Sequence, residues 1–242
     1  MSELWIAHHS IETLQQPSQW TNYFEKVQGL LGAPLTHFDV NDPVKRKAAS
    51  LIEVGNLVCA FKTGEDGRWL FGRFADIGVS LSVQHYRKIT HYPNTVRWHV
   101  PLSFLEKPQN LERIEGLFDL GNQVFKPFYA YSDYMTEIAK KKKLSGAIDI
   151  QAELLGIFWL TYFNAAYVAF FGHKKFSELL SIKRGGDGGI TVILGDRPES
   201  VIGDIRTQSE TILGQQSFVN PSSSITKQRG RFVLTFQQLL KV

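Results

Sequence analysis

Histidine is a common metal ligand and proton-transfer residue, and three of the seven histidines lie close together in the sequence. His85, His91 and His99 fall on or between two predicted strands, with no acidic residue interleaved. Their spacing matches neither HExxH nor a compact zinc motif. His8 and His9 are adjacent in a short predicted strand, where neighbouring side chains point to opposite faces. The sequence therefore predicts no metal site and no cofactor.

Paired carboxylates could supply general acid–base catalysis if the fold brought two of them together. Five acidic residues between positions 119 and 153 are candidates: Asp119, Asp133, Glu137, Asp149 and Glu153. Carboxylates of this kind are mostly solvated surface charges. We therefore predict no catalytic residues, but an enzyme or a small-ligand-binding protein remains the alternative.

Two further patterns could carry chemistry. Cys59 stands between Val58 and Ala60, which favours a buried structural thiol, because reactive cysteines need a polar, electropositive setting. The glycine-rich segment Gly185–Gly189 matches neither GxGxxG nor a P-loop, and no GxSxG motif is present. The glycine-rich segment therefore indicates a turn.

A lysine run, Lys140–Lys143, is the best candidate for contacting nucleic acid, because successive lysines can neutralise phosphates. The run has no interleaved arginine or aromatic residue, and the formal net charge of the chain is only +4. A solvated loop is the better interpretation, and nucleic acid is not the predicted partner.

Composition places the chain among ordinary globular proteins. It has 242 residues, of which 43% are hydrophobic and 21% charged, so it can bury a large core in one domain. A single cysteine excludes an internal disulfide framework. The first residues, MSELWIAHHS, lack the pattern of a secretory signal, so a cytoplasmic protein is expected.

The segment Leu154–Phe171 has eighteen residues without a charge, seven of them aromatic. It is long enough to cross a bilayer. However, Gly156, Thr161 and Asn164 interrupt it, and its aromatic residues are not gathered at its ends. We predict that it forms core, with Asn164 as the cap of a short helix that stops at Gly172.

Periodicity predicts an α+β fold: a mostly antiparallel sheet with helices packed on it, in a single globular domain. The predicted strands are residues 4–7, 57–61, 68–74, 79–86, 95–100, 131–139 and 190–194, with a hairpin loop at 63–67. The predicted helices begin at Ser18, Pro43, Pro108 and Asp196, with Asp42 as the cap of the second. We expect a helical N-terminal extension (1–56), a sheet-and-helix core (57–200), and a C-terminal helix and tail (201–242).

One resemblance covers roughly residues 79 to 200. The run GIFWLTYFNAAYVAFFGHKKFSEL, the glycine-rich turn and the strand ITVIL resemble the C-terminal half of a group of bacterial immunity proteins. The preceding strand pair, the helix after Pro108 and the tyrosine-bearing strand are similar in order. These proteins are encoded beside toxins of the type VI secretion or polymorphic-toxin kind, and they bind and block the toxin. The resemblance implies a cognate toxin as partner and no catalytic residues.

The chain departs from that group in having about seventy additional N-terminal residues and a positive net charge. Blockers of nucleases are often acidic, so the charge favours a toxin of another kind or a local acidic patch. A binding face should present aromatic and arginine anchors on an exposed sheet. The candidate protein-binding residues are Arg97, His99, Tyr129, Tyr131 and Tyr134. Trp98 is expected in the core, because it alternates with Val96 and Val100.

Overall fold

The fold was analysed in a computed structural model, which describes residues 3–12, 14, 16–60, 69–86, 92–141, 148–223 and 227–241. It confirms the predicted α+β class, with antiparallel strands and helices packed on them. The chain forms two compact units, Met1–Pro127 and Phe128–Val242. The predicted boundaries at 56/57 and 200/201 stay predictions. The predicted loop at 63–67, His91, and the second half of the lysine run lie outside the described residues.

Five antiparallel strands form the sheet of the first unit, in the order β2-β3-β4-β5-β1. The strands are β1 (Glu3–Ser10), β2 (His37–Asp39), β3 (Trp69–Phe74), β4 (Val79–Gln84) and β5 (Asn94–Pro101). The helices are α1 (Pro17–Leu31), α2 (Leu51–Ala60), α3 (Leu102–Leu105) and α4 (Pro108–Phe125).

Side-chain alternation gives this sheet one buried face. Along β5, Trp98 and Val100 are fully buried, whereas Arg97 and His99, which alternate with them, are half-buried. Helices α1 and α4 cover the buried face. The Trp98 indole donates a hydrogen bond of 3.2 Å to the Tyr23 hydroxyl of α1, and His8 of β1 bonds the Phe118 carbonyl of α4 at 3.1 Å. The other face therefore carries Arg97 and His99.

The second predicted helix is wrong in its position. The Asp39 carboxylate accepts hydrogen bonds from the backbone N–H groups of Val40, Asn41, Lys45 and Arg46, and so holds residues 40–46 in a loop. The helix begins only after Ser50, whose hydroxyl accepts from the N–H of Glu53 at 3.2 Å. It continues through Ala60, so the predicted strand at 57–61 is also wrong. Cys59 lies on this helix and is half-buried, so the predicted buried strand position for it is wrong.

Helices α1 and α2 approach closely at Gly55. A Cβ atom there would lie 2.5 Å from the Pro17 carbonyl oxygen. We expect Gly55→Ala to lower the free energy of unfolding by about 1–3 kcal/mol, because backbone must shift to make room. Gly29→Ala is the matched control, because its Cβ would meet nothing within 4 Å. Helix propensity alone should make that control about 0.5–1 kcal/mol more stable. Urea unfolding of both variants checks the prediction, and equal stabilities would contradict the close packing.

His8 couples the stability of the first unit to pH. Its ring packs against Gly121, where a Cβ atom would lie 2.3 Å away, and burial lowers its pKa to about 4 from 6.5. The folded protein keeps this ring neutral while the unfolded chain takes up a proton below pH 6.5. Stability is therefore full above pH 6.5 and falls by about 1.4 kcal/mol per pH unit down to about pH 4.

The test compares urea unfolding of the wild type and His8→Gln between pH 7 and pH 4, roughly the interval over which one shifted histidine titrates. Unfolding of the variant should take up about one proton fewer than unfolding of the wild type. We therefore expect its free energy of unfolding to depend less steeply on pH. An unchanged slope would contradict a neutral buried His8.

Four antiparallel strands form the sheet of the second unit, in the order β6-β7-β9-β8. The strands are β6 (Tyr129–Tyr134), β7 (Leu160–Phe163), β8 (Ile182–Arg184) and β9 (Ile190–Ile193). The helices are α5 (Met135–Ala139), α6 (Ala165–Phe171), α7 (His173–Phe176), α8 (Ile205–Leu213) and α9 (Phe236–Leu239). The predicted strand at 131–139 is wrong beyond Tyr134, where α5 begins. The helix predicted from Asp196 begins only at Ile205.

The aromatic segment forms the core of the second unit, as predicted. Phe158, Trp159 and Phe163 are fully buried, and the Phe163 ring contacts those of Phe171 and Phe176. The Asn164 side chain accepts from the N–H of Tyr167, which confirms its predicted capping role. Among the described residues, none of the helices combines the length and apolar character needed to cross a membrane.

Candidate functional site

The open face of the first unit's sheet carries an arginine clamped between two tryptophans. The register places Arg97 of β5 opposite Ala7 of β1 and Ser82 of β4. Both neighbours are small, so the arginine side chain can lie over the sheet. Its guanidinium carbon stands 5.2 Å from the ring centre of Trp5 and 5.3 Å from that of Trp69. We call Trp5, Trp69 and Arg97 the tryptophan clamp.

Cation–π contacts with both indoles favour this position of the guanidinium. Each cation–π contact contributes about 0.5–1 kcal/mol at a partly exposed site. Among the described residues, no carboxylate forms an ion pair with Arg97, and its buried Nε has no hydrogen-bond partner. Among the described residues, the charge of Arg97 therefore lies beside two indoles without a direct ion-pair partner.

His99 and Glu3 hold Trp5 of the tryptophan clamp in position. The Glu3 carboxylate accepts a hydrogen bond from the Trp5 indole at 3.0 Å and lies 3.4 Å from Nδ1 of His99. The Trp5 and His99 rings also meet edge to face, with centres 4.9 Å apart. Burial lowers the pKa of His99, and Glu3 acts in the opposite direction. His99 is therefore a neutral supporting ring near neutral pH.

A cleft of about 450 Å³ opens beside the clamp. Its polar lining comes from Ser80 and Ser82 of β4 and from Arg97 and His99 of β5. Trp69 and Phe71 form an aromatic wall, while Glu3, Asp42 and Val44 lie on other parts of its rim. The cleft thus combines aromatic surface and an arginine, residue types that are enriched at protein-binding hot spots, with two carboxylates.

The predicted candidate residues are divided between the two units. Arg97 and His99 lie together on the open face of the first unit. Tyr129 and Tyr131 are 0% and 5% exposed in the second unit, and the Tyr129 hydroxyl donates to the Gly156 carbonyl at 2.5 Å. Tyr134 is half-buried and donates a hydrogen bond of 2.8 Å to Glu199. We retain only Arg97 and His99 for the proposed surface.

Sequence reasoning missed both tryptophans of the clamp. Trp69 begins a predicted strand, and Trp5 lies in another, so each could have been placed on a sheet. The alternation along this strand contains a signal for Trp69. Leu70 is buried, and Trp69 and Phe71 on either side of it point to the opposite face of the sheet. What the sequence lacked was the strand order that brings both rings to Arg97.

Four of the five candidate carboxylates are held in ion pairs within the second unit. The pairs are Asp133 with Arg206 at 2.8 Å, Glu137 with Lys140 at 2.6 Å, Asp149 with Arg229 at 2.5 Å, and Glu153 with Lys227 at 3.1 Å. Over the described ranges, no three His, Cys, Asp or Glu side chains gather in a way that could hold a metal ion.

The described lysines of the run at 140–143 are also neutralised. Lys140 pairs with Glu137, and Lys141 pairs with Glu210 at 2.6 Å. A lysine that is already paired with a carboxylate is less able to displace counterions from a phosphate backbone. The lysine run thus contributes less to a nucleic-acid surface than its sequence suggests.

Comparison with known proteins shows a fold relationship. Neither a known protein family nor a curated protein matches the chain. Among solved structures, the chain is similar to a Pseudomonas aeruginosa type VI secretion system (T6SS) protein, PA0821, with a TM-score of 0.63. The two are 14% identical, and the match covers 98% of this chain and 80% of that protein. The likeness shows a shared fold.

Proposed function

We propose that this chain is a non-enzymatic binding protein of the immunity type, which blocks a cognate toxin by occluding part of its surface. The observation that carries the proposal is the tryptophan clamp. It presents half-buried tryptophan and arginine, residue types enriched in binding hot spots, and the cation–π contacts position them before a partner arrives.

Two further observations support this role. The fold is similar to that of a T6SS protein, so a link to type VI secretion agrees with the resemblance found in the sequence. Four of the five carboxylates that could have formed an acid–base pair are engaged with arginines and lysines instead. The proposal thus includes a protein toxin as partner, action in the cytoplasm, and no cofactor.

Growth rescue tests the function. The chain is co-expressed with each secreted protein encoded by a neighbouring gene, in a strain that the secreted protein kills. We expect the wild-type chain to restore growth with one of them and to copurify with it. A toxin from an unrelated locus is the control and should remain lethal. Failure to rescue growth from any neighbouring toxin, with the chain folded and abundant, would contradict the immunity role.

A further inference from the structure

We propose that the cleft beside Arg97 receives an aspartate or glutamate side chain from a loop of the partner protein. This inference rests on the proposed function and names the chemistry of the partner at the tryptophan clamp. Its basis is the positive charge of Arg97. Among the described residues the guanidinium has no ion-pair partner, although it lines an open cleft.

Carboxylate geometry matches what the clamp presents. Trp5 and Trp69 lie beside the guanidinium, 5.2 and 5.3 Å from its central carbon, and these cation–π contacts do not occupy its N–H donors with an acceptor oxygen. An arginine edge offers parallel N–H donors in a fixed fork, which a carboxylate can accept in pairs. The hydroxyls of Ser80 and Ser82 line the same cleft and can donate further hydrogen bonds to the bound oxygens.

The charges around the cleft favour a protein loop over a phosphate. Glu3 and Asp42 line it together with Arg97, so the formal charge of these three groups is negative. The two carboxylates repel a phosphate, with nearly two charges, or the row of charges on a nucleic-acid backbone more strongly than the single charge of one aspartate or glutamate. A protein loop can place one acid at Arg97 and a lysine, arginine or amide N–H towards Glu3 and Asp42.

The size of the cleft also points to a loop. An open cleft of about 450 Å³ has room for a few side chains. Strand addition is not the mode here, because the residues of the clamp lie within the sheet and point away from it. A few side chains on a protruding loop fit the space.

Selection from a displayed library of short random loops tests this inference without the toxin. The library is selected on the full wild-type chain and, in parallel, on Arg97→Met. We expect loops that bind only the wild type to be enriched in aspartate or glutamate, often with a basic residue nearby. Changing that acid to asparagine or glutamine should weaken binding about tenfold or more. Near-UV circular dichroism checks that the variant is folded.

If Arg97→Met does not fold, Arg97→Lys replaces it, because lysine keeps the charge and the stem but lacks the fork. Absence of acidic enrichment, or undiminished binding by the amide versions, would overturn the inference. So would inorganic phosphate or a thymidine oligonucleotide that displaces the selected loops more effectively than acetate at equal ionic strength.

The outcomes separate this inference from the proposed function. Acid-dependent loops, together with failure of growth rescue, would keep the carboxylate site and reject the immunity role. Growth rescue without acid-dependent loops would keep the role and overturn the carboxylate site.

Discussion

Replacing Arg97 by methionine is expected to weaken binding of the cognate toxin by about 2–4 kcal/mol, roughly thirtyfold to a thousandfold in Kd. The variant removes the charge at the centre of the cleft and both cation–π contacts, but it keeps an unbranched apolar stem between the indoles. Growth rescue should fall with affinity. Isothermal titration calorimetry with the purified toxin measures the change.

Arg73→Met provides the matched control. Arg73 lies on β3 and belongs to the same open face as Arg97, because the register pairs it with Ser80, a residue that lines the cleft. It is exposed and does not line the cleft itself. We expect its loss to change Kd by about threefold or less, as at most interface-rim positions. Equal losses in the two variants would indicate general electrostatic attraction and would contradict a specific role for the clamp.

Replacing Arg206 by methionine is expected to lower the free energy of unfolding by about 3–5 kcal/mol. Its guanidinium donates two hydrogen bonds, of 3.1 and 2.8 Å, to the fully buried carboxylate of Asp133. Burial raises the pKa of Asp133, and Arg206 acts in the opposite direction together with the N–H groups of Trp159 and Tyr134. Without the arginine, a buried charge loses its counterion.

The control is Arg229→Met, which removes an exposed arginine from its pair with Asp149 in the same unit. An exposed ion pair contributes about 0–1 kcal/mol, so this variant should unfold almost as the wild type does. Urea unfolding at pH 7, near physiological ionic strength, measures both variants. A loss below about 1 kcal/mol for Arg206→Met would contradict a structural role for the buried pair.

Local patterns were sufficient to predict much of the first unit's sheet. Strict alternation along residues 95–100 predicted both the buried Trp98 and the position of Arg97 and His99 on the other face. The helix predicted from Ser18 likewise forms as α1, beginning one residue earlier at Pro17. Each of these features depends on neighbours within one element, and a single sequence contains that information.

The position of α2 shows a competition between two local signals. Asp42 and Pro43 are typical of a helix start, and so are Ser50 and Glu53. The second pair prevails because the Asp39 carboxylate binds the backbone of the intervening loop, an interaction that begins in a neighbouring strand. Single-segment reasoning could not choose between the two starts.

The tryptophan clamp was beyond prediction for a different reason. Trp5 and Trp69 are far from Arg97 in sequence, and they meet it only because β1 pairs with β5 and β3 with β4. Strand order depends on long-range pairing, which no local pattern encodes. Arg97 could therefore be selected as an anchor, while the two rings that give it a fixed orientation could not.

The most direct test of the docking surface is hydroxyl-radical footprinting of the five tryptophans in the free chain and in its complex with the toxin. Trp20, Trp98 and Trp159 are buried and serve as internal references, whereas Trp5 and Trp69 are half-buried on the open face. We predict that complex formation reduces oxidation of Trp5 and Trp69 and leaves the three references unchanged. Unaltered oxidation of both clamp tryptophans in a fully formed complex would contradict binding at this face.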